Sequence, residues 1–243
     1  MKRIYDKNAL NHALLWIGLY IVLSIFADQV SEKLGIQKLF TAPFLIGMSV
    51  LLWRFIQKED LSQKFGLTAF QGDLKGYLFF IPLAVIASCN LWNGVRWNLS
   101  FSETVLYIVS MLCVGFVEEV IFRGFLLRAI LGKHVLRALF ISGLTFGLGH
   151  IVNLLNGADF LPTLLQMGYA FAVGFLFAVI VYKGKSLYPC IITHSFLNAS
   201  SVFAVECSQG KEMLISLILC VVSAGYAAYL LKDGLEQETD ESE

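Results

Sequence analysis

The sequence predicts an all-α fold, a polytopic bundle of about eight transmembrane helices. Three observations carry that reading. Hydrophobic residues make up 57% of the chain and charged residues 15%, with a mean hydropathy of +0.72, whereas a soluble domain carries about a quarter charged residues. The apolar residues arrive in blocks near the roughly 20 residues that cross a hydrocarbon core. The connections between blocks are short and polar or glycine-bearing, as in Asn156-Gly157-Ala158-Asp159 and Lys183-Gly184-Lys185.

In chain order the expected spans cover residues 9–27, 39–56, 76–92, 104–130, 135–154, 163–182, 186–205 and 213–231. The first follows a basic start (Lys2, Arg3, Lys7) like that of a secretory leader. Ile25-Phe26-Ala27 is a poor cleavage site, however, so a retained span is expected. Segment 57–75 mixes Lys58, Glu59, Asp60 and Lys64 with Leu61, Phe65, Leu67 and Phe70, which predicts a short interfacial helix. Residues 1–232 thus read as one transmembrane domain with a motif-bearing core at 100–205. The acidic tail 233–243 is expected to be disordered. The cysteines Cys89, Cys113, Cys190, Cys207 and Cys220 form no pair motif and read as buried small hydrophobes.

Basic residues orient the bundle. With the N-terminus inside, internal segments carry Lys2, Arg3, Lys7, Arg54, Lys58, Lys64, Lys75, Arg128, Lys133, Arg137, Lys183, Lys185 and Lys232. External loops carry only Lys33, Lys38, Arg96 and Lys211. This positive-inside bias predicts a multi-pass cell-membrane protein with both termini cytoplasmic. The net charge of zero gives no reason to expect a nucleic-acid partner; membrane lipid is the expected surrounding.

Several charges sit where the bilayer makes them costly, at about 2.5–3.5 kcal/mol each near a helix centre. The fourth segment reads Val117-Glu118-Glu119-Val120-Ile121-Phe122-Arg123, with apolar residues on both sides. At about 100° per residue, Glu119 and Arg123 share a face in the favourable acid-before-base order. Glu118 points elsewhere, free to exchange protons. His150 in the fifth segment, and His194 with Asn198 one turn on in the seventh, supply further intramembrane polar groups. Their company suggests one common interior site. His12 and His134 lack such company and read as structural. Counted from the internal helix ends, Glu118, His194, Asn198 and His150 lie about 18, 12, 18 and 22 Å deep, which predicts a cavity opening to the cytosol.

Glu118-Glu119-x-x-x-Arg123, Phe146-x-x-x-His150 and His194-x-x-x-Asn198, in that order on three spans, resemble the motif set of the CPBP family. These are type II CAAX prenyl endopeptidases and bacteriocin-processing intramembrane proteases. The resemblance covers about residues 100–205 and implies hydrolysis of a peptide bond in a membrane-associated protein or peptide. It implies Glu118 as the base that activates water with help from His150, and His194 with Asn198 as the oxyanion hole. Glu119 and Arg123 would brace the site. No cofactor is favoured. If zinc took part, Glu118, His150 and His194 would be its ligands, although Asn198 suits an oxyanion better than a metal. The competing class is a non-enzymatic immunity or transport protein, in which paired Glu and His groups relay protons. No inverted repeat supports it.

Overall fold

The computed structural model describes residues 1–240, with side chains described except at Asn156 and from residue 233 onward. Each expected segment carries helix, and no strand forms among the described residues. The helices are α1 (Ala9–Lys33), α2 (Thr41–Lys58), α3 (Ile81–Ala87), α4 (Phe101–Ile130), α5 (Val135–Gly149), α6 (Phe160–Gly184), α7 (Tyr188–Ser200) and α8 (Gln209–Asp240). Among the described residues, five helical segments are long and apolar enough to cross a membrane: α1, α4, α5 with its 3₁₀ continuation, α6, and α8 as far as Lys232. The protein is a multi-pass membrane bundle.

The other three expected segments carry shorter or more polar helices, so the count of eight is not confirmed. α2 ends in Arg54, Gln57 and Lys58, which lowers its hydropathy, and α7 has only 13 residues before a 3₁₀ turn. In the third segment Leu78, Phe79 and Phe80 adopt positive φ (50°, 49° and 58°), so only the short α3 follows, started by Pro82. The segment between α2 and α3 also departs from expectation. Its helix is only the turn Ser62–Phe65, and Phe65 and Leu67 are buried in the bundle, Phe65 edge-on against Phe125. Helix α8 runs on to Asp240, into the segment expected to be a disordered tail; Glu241, Ser242 and Glu243 lie outside the described residues.

Local chemistry starts the helices that carry the site. Ser100 and Glu103 form a reciprocal capping box at the start of α4. Asn8 caps α1 by accepting from Asn11 N at 2.9 Å. Pro189 opens α7, where its missing N–H costs nothing.

Small residues then draw the helices together. A Cβ on Gly115 of α4 would fall 2.8 Å from Ser195 Cα, so α4 and α7 touch beside the glutamates. Gly143 and Gly147 of α5 form the same kind of seam, where a Cβ would meet Phe175 N at 2.7 Å and Met167 O at 2.8 Å on α6.

The bundle has two distinct ends. At the near end, which carries the N-terminus and Leu230 of α8, Lys2 pairs with Glu59 and Lys183 bonds Leu230 O. Leu187 N also donates there to Gly66 O. At the far end, Gln37 N donates to Glu103, Arg96 N to Phe203 O, and Asn98 to Val202 O and Ala204 O.

Candidate active site

The EExxxR residues occupy a change of helical form. α4 is a regular α-helix to Glu119, then a π-helical stretch over Val120–Leu126, and α-helical again to Ile130. Wide π turns occur rarely and often at functional positions. Every residue of this stretch is buried.

Arg123 and Glu119 are both fully buried and pair at 2.9 Å, as their spacing predicts. The guanidinium lies over the face of Phe146 at 4.2 Å and near that of Phe177 at 5.6 Å, so aromatic faces cover what the carboxylate does not reach. Gly174 makes room for it, since a Cβ there would stand 2.9 Å from Arg123 Nη2. The same Glu119 oxygen lies 2.9 Å from Nδ1 of His194. A carboxylate facing Arg123 only accepts, so Nδ1 carries the proton.

Glu118 does point away from this pair, as helical geometry requires. Its Oε1 accepts a 2.5 Å hydrogen bond from the hydroxyl of Tyr20, on α1. Its Oε2 lies 3.5 Å from Nε2 of His194. His194 therefore stands between the two glutamates, one at each ring nitrogen. Phe146 fixes the remaining side: its ring meets those of His194, His150 and Phe122 edge-on at 5.6, 5.2 and 5.3 Å. His150 caps α5, with Nδ1 3.1 Å from Phe146 O.

These groups share one chamber of about 410 Å³. Glu118, His150, His194 and Asn198 all line it, and Glu119 with Arg123 lies sealed beneath. The Glu118 side chain is 15% exposed against 0% for Glu119, which separates the two carboxylates by access as well as by angle. His12 and His134 lie apart from the chamber, as expected. His12 accepts from Trp16 Nε1 at 3.1 Å amid Tyr5, Phe55 and Phe125, and His134 is exposed ahead of α5.

The chamber does not open as depth along the helices suggests. Its floor is Phe122, Phe146 and Phe177, and below them Phe65, Phe125, Leu126, Leu127 and Leu187 fill the near end with buried apolar side chains. From Glu118 the lining continues instead through Asp28, Lys38, Tyr107, Asn153, Gln166 and Ser201, toward the far end. Counting residues gives a depth but not which side of that depth is filled.

Tyr20 and Gly174 are contributors that the sequence did not reveal. A lone tyrosine in an apolar span is unremarkable until the fold brings it to a carboxylate 98 residues away. None of the cysteines is paired; Cys89 and Cys190 are buried as expected, whereas Cys113, Cys207 and Cys220 are only half-buried.

Residues 100–200 match the family model described as Rce1-like, type II CAAX prenyl endopeptidase. No curated protein and no solved structure matches the chain.

Proposed function

We propose, from the likeness of residues 100–200 to the Rce1-like, type II CAAX prenyl endopeptidase model, that the chain is an intramembrane protease of that kind and that Glu118 activates a water molecule to cleave a membrane-associated protein or peptide. One observation carries the reading most of the way. Four polar side chains from α4, α5 and α7, each from one of the family's motifs, line a single chamber with Glu118 partly exposed in it.

The chemistry follows from the contacts. Tyr20 occupies Oε1 of Glu118, which leaves Oε2 to take a proton as water oxygen attacks the scissile carbonyl carbon. The displaced electron pair resides on the carbonyl oxygen. Asn198 donates to it from an amide that carries no charge. His194 serves the same oxygen through Nε2 when that nitrogen is protonated. With Nδ1 committed to Glu119, the protonated ring is an imidazolium held between two carboxylates. The set Glu118, Glu119, Arg123 and His194 then carries no net charge, the condition that makes burial of its enclosed members tolerable. His150, tied at Nδ1, has Nε2 free to orient the water. Glu118 finally passes its proton to the leaving amine as the C–N bond breaks.

We favour the metal-free reading: among the described residues no three His, Cys, Asp or Glu side chains gather as ligands, and Asn198 suits an oxyanion better than a metal. The cell membrane, with both termini cytoplasmic, is the location that the basic residues favour.

The decisive experiment compares membranes containing the wild type with membranes containing Glu118→Gln. Proteomics should find uncleaved substrate accumulating with the variant, and normal cleavage by Glu118→Gln would overturn the assignment. Metal analysis of the purified active protein completes the test. Stoichiometric zinc that is lost in both His150→Ala and His194→Ala would replace the mechanism while leaving the protease standing.

A further inference from the structure

The chamber wall holds amide groups that the hydrolytic chemistry leaves without a task. Two of them, Asn153 and Gln166, are tied to each other: Asn153 Nδ2 donates to Gln166 Oε1 at 2.8 Å, and both residues line the chamber. The bland account makes this bond a strut between the 3₁₀ helix His150–Asn156 and α6. A strut is redundant there. Gly143 and Gly147 already let α5 meet the backbone of α6 at Phe175 and Met167, the latter adjacent to Gln166. One hydrogen bond also leaves most of two amides unused, and idle polar groups are costly within a bilayer.

What the pair leaves over is specific. Asn153 Oδ1 and Gln166 Nε2 have no partner among the described residues, and neither atom is sealed in the protein interior. The pair therefore offers one acceptor and one donor side by side, both uncharged. Turning both amides over exchanges the roles and leaves the same offer. A residue of an extended chain presents the complement on one edge, an N–H and a C=O that must both find partners once water is left behind. A ligand with only a donor or only an acceptor would leave half of the pair unsatisfied.

Position follows from the 3₁₀ helix. At three residues per turn, Asn153 lies in line with His150 and about 6 Å further along that helix, at about 2.0 Å per residue. An extended chain advances about 3.3 Å per residue, so the offset corresponds to about two residues. We propose that Asn153 and Gln166 form a backbone-reading subsite. Asn153 Oδ1 accepts from the N–H, and Gln166 Nε2 donates to the C=O, of one substrate residue about two places from the scissile bond. The subsite holds the segment extended and is indifferent to the side chain at that place. It rests on the protease reading, which makes the surroundings of Glu118 and His150 the place where the bond breaks.

Editing the substrate backbone tests the subsite. The probes are synthetic peptides copied from sites that wild-type membranes cleave and Glu118→Gln membranes leave intact. In each peptide one backbone amide at a time is replaced by an ester, which removes an N–H and keeps the shape of the chain. With the wild type, one ester about two residues from the scissile bond should raise KM about fivefold and leave kcat in place, as for loss of one hydrogen bond to bound substrate. Asn153→Leu should raise KM for the all-amide peptide by a similar factor and add nothing for that ester, because an N–H and its acceptor act as one pair. Gln166→Leu should raise KM for the all-amide peptide as well. The subsite is overturned if no ester at that distance changes KM of the wild type, if Asn153→Leu stays as sensitive to the ester as the wild type, or if Gln166→Leu leaves KM unchanged. Where a variant fails to fold, the ester scan of the wild type decides. If membranes yield no cleaved site, or Glu118→Gln cleaves normally, the protease reading fails and takes the subsite with it; an active wild type that is insensitive to the esters removes the subsite alone.

Discussion

Glu118 and Glu119 are neighbours in sequence, yet they belong to different regions of the molecule. Glu119 faces the filled near end, where Arg123 and Nδ1 of His194 hold it without solvent. Glu118 faces the hollow far end, held by Tyr20 on one oxygen and turned to the chamber with the other. The comparison teaches that one helical turn can join a structural floor to a reactive chamber, provided that the helix is packed differently above and below. The π-helical stretch after Glu119, buried at every position, begins where that packing changes.

The paired substitutions Glu118→Gln and Glu119→Gln test this division most strongly. Glu118→Gln should lose essentially all cleavage, since a positioned base alone is worth about 10²–10⁴ in rate, while thermal denaturation in detergent stays near wild type. Glu119→Gln should instead lower stability by about 3–5 kcal/mol, because Arg123 remains buried without its carboxylate. Equal effects of the two variants on folding would erase the distinction between floor and chamber.

A smaller effect is expected at the oxyanion position. Asn198→Ala should fold normally and retain measurable cleavage, reduced about 10²–10³-fold, as for loss of one donor. Single-turnover assays would expose the assignment as wrong if the rate were unchanged.

Within the floor, Gly174→Ala brings a methyl group to 2.9 Å from both Arg123 Nη2 and Phe146 Cδ1. Overpacking of this kind costs about 1–3 kcal/mol, to be measured as a lower denaturation midpoint. Gly168→Ala, on the same helix with open space at its Cβ, is the control that should leave the midpoint in place.

The mildest change is Tyr20→Phe, which sharpens the comparison from the chamber side. It removes one charge-assisted hydrogen bond worth about 1.5 kcal/mol, so cleavage should fall about tenfold with folding preserved. A wild-type rate in Tyr20→Phe would mean that the hydroxyl does not position Glu118.

Much of this was legible in the sequence. A bilayer forces backbone polar groups into helices and penalises stray charge. Apolar blocks therefore locate the helices, and the exceptions, Glu118, Glu119, Arg123, His150, His194 and Asn198, mark the interior. The i,i+4 spacing sufficed to pair Glu119 with Arg123, because both lie on one helix. What required another helix was hidden. His194 lies between the two glutamates only because Gly115 lets α7 approach α4, and Tyr20 reaches Glu118 across 98 residues. The shortness of α3 and α7 was equally invisible, since hydropathy records how apolar a segment is and not where its backbone turns. The direction of the chamber was decided by tertiary structure alone: Phe122, Phe146 and Phe177 come from three helices, and only their meeting closes one side of the glutamate and leaves the other open.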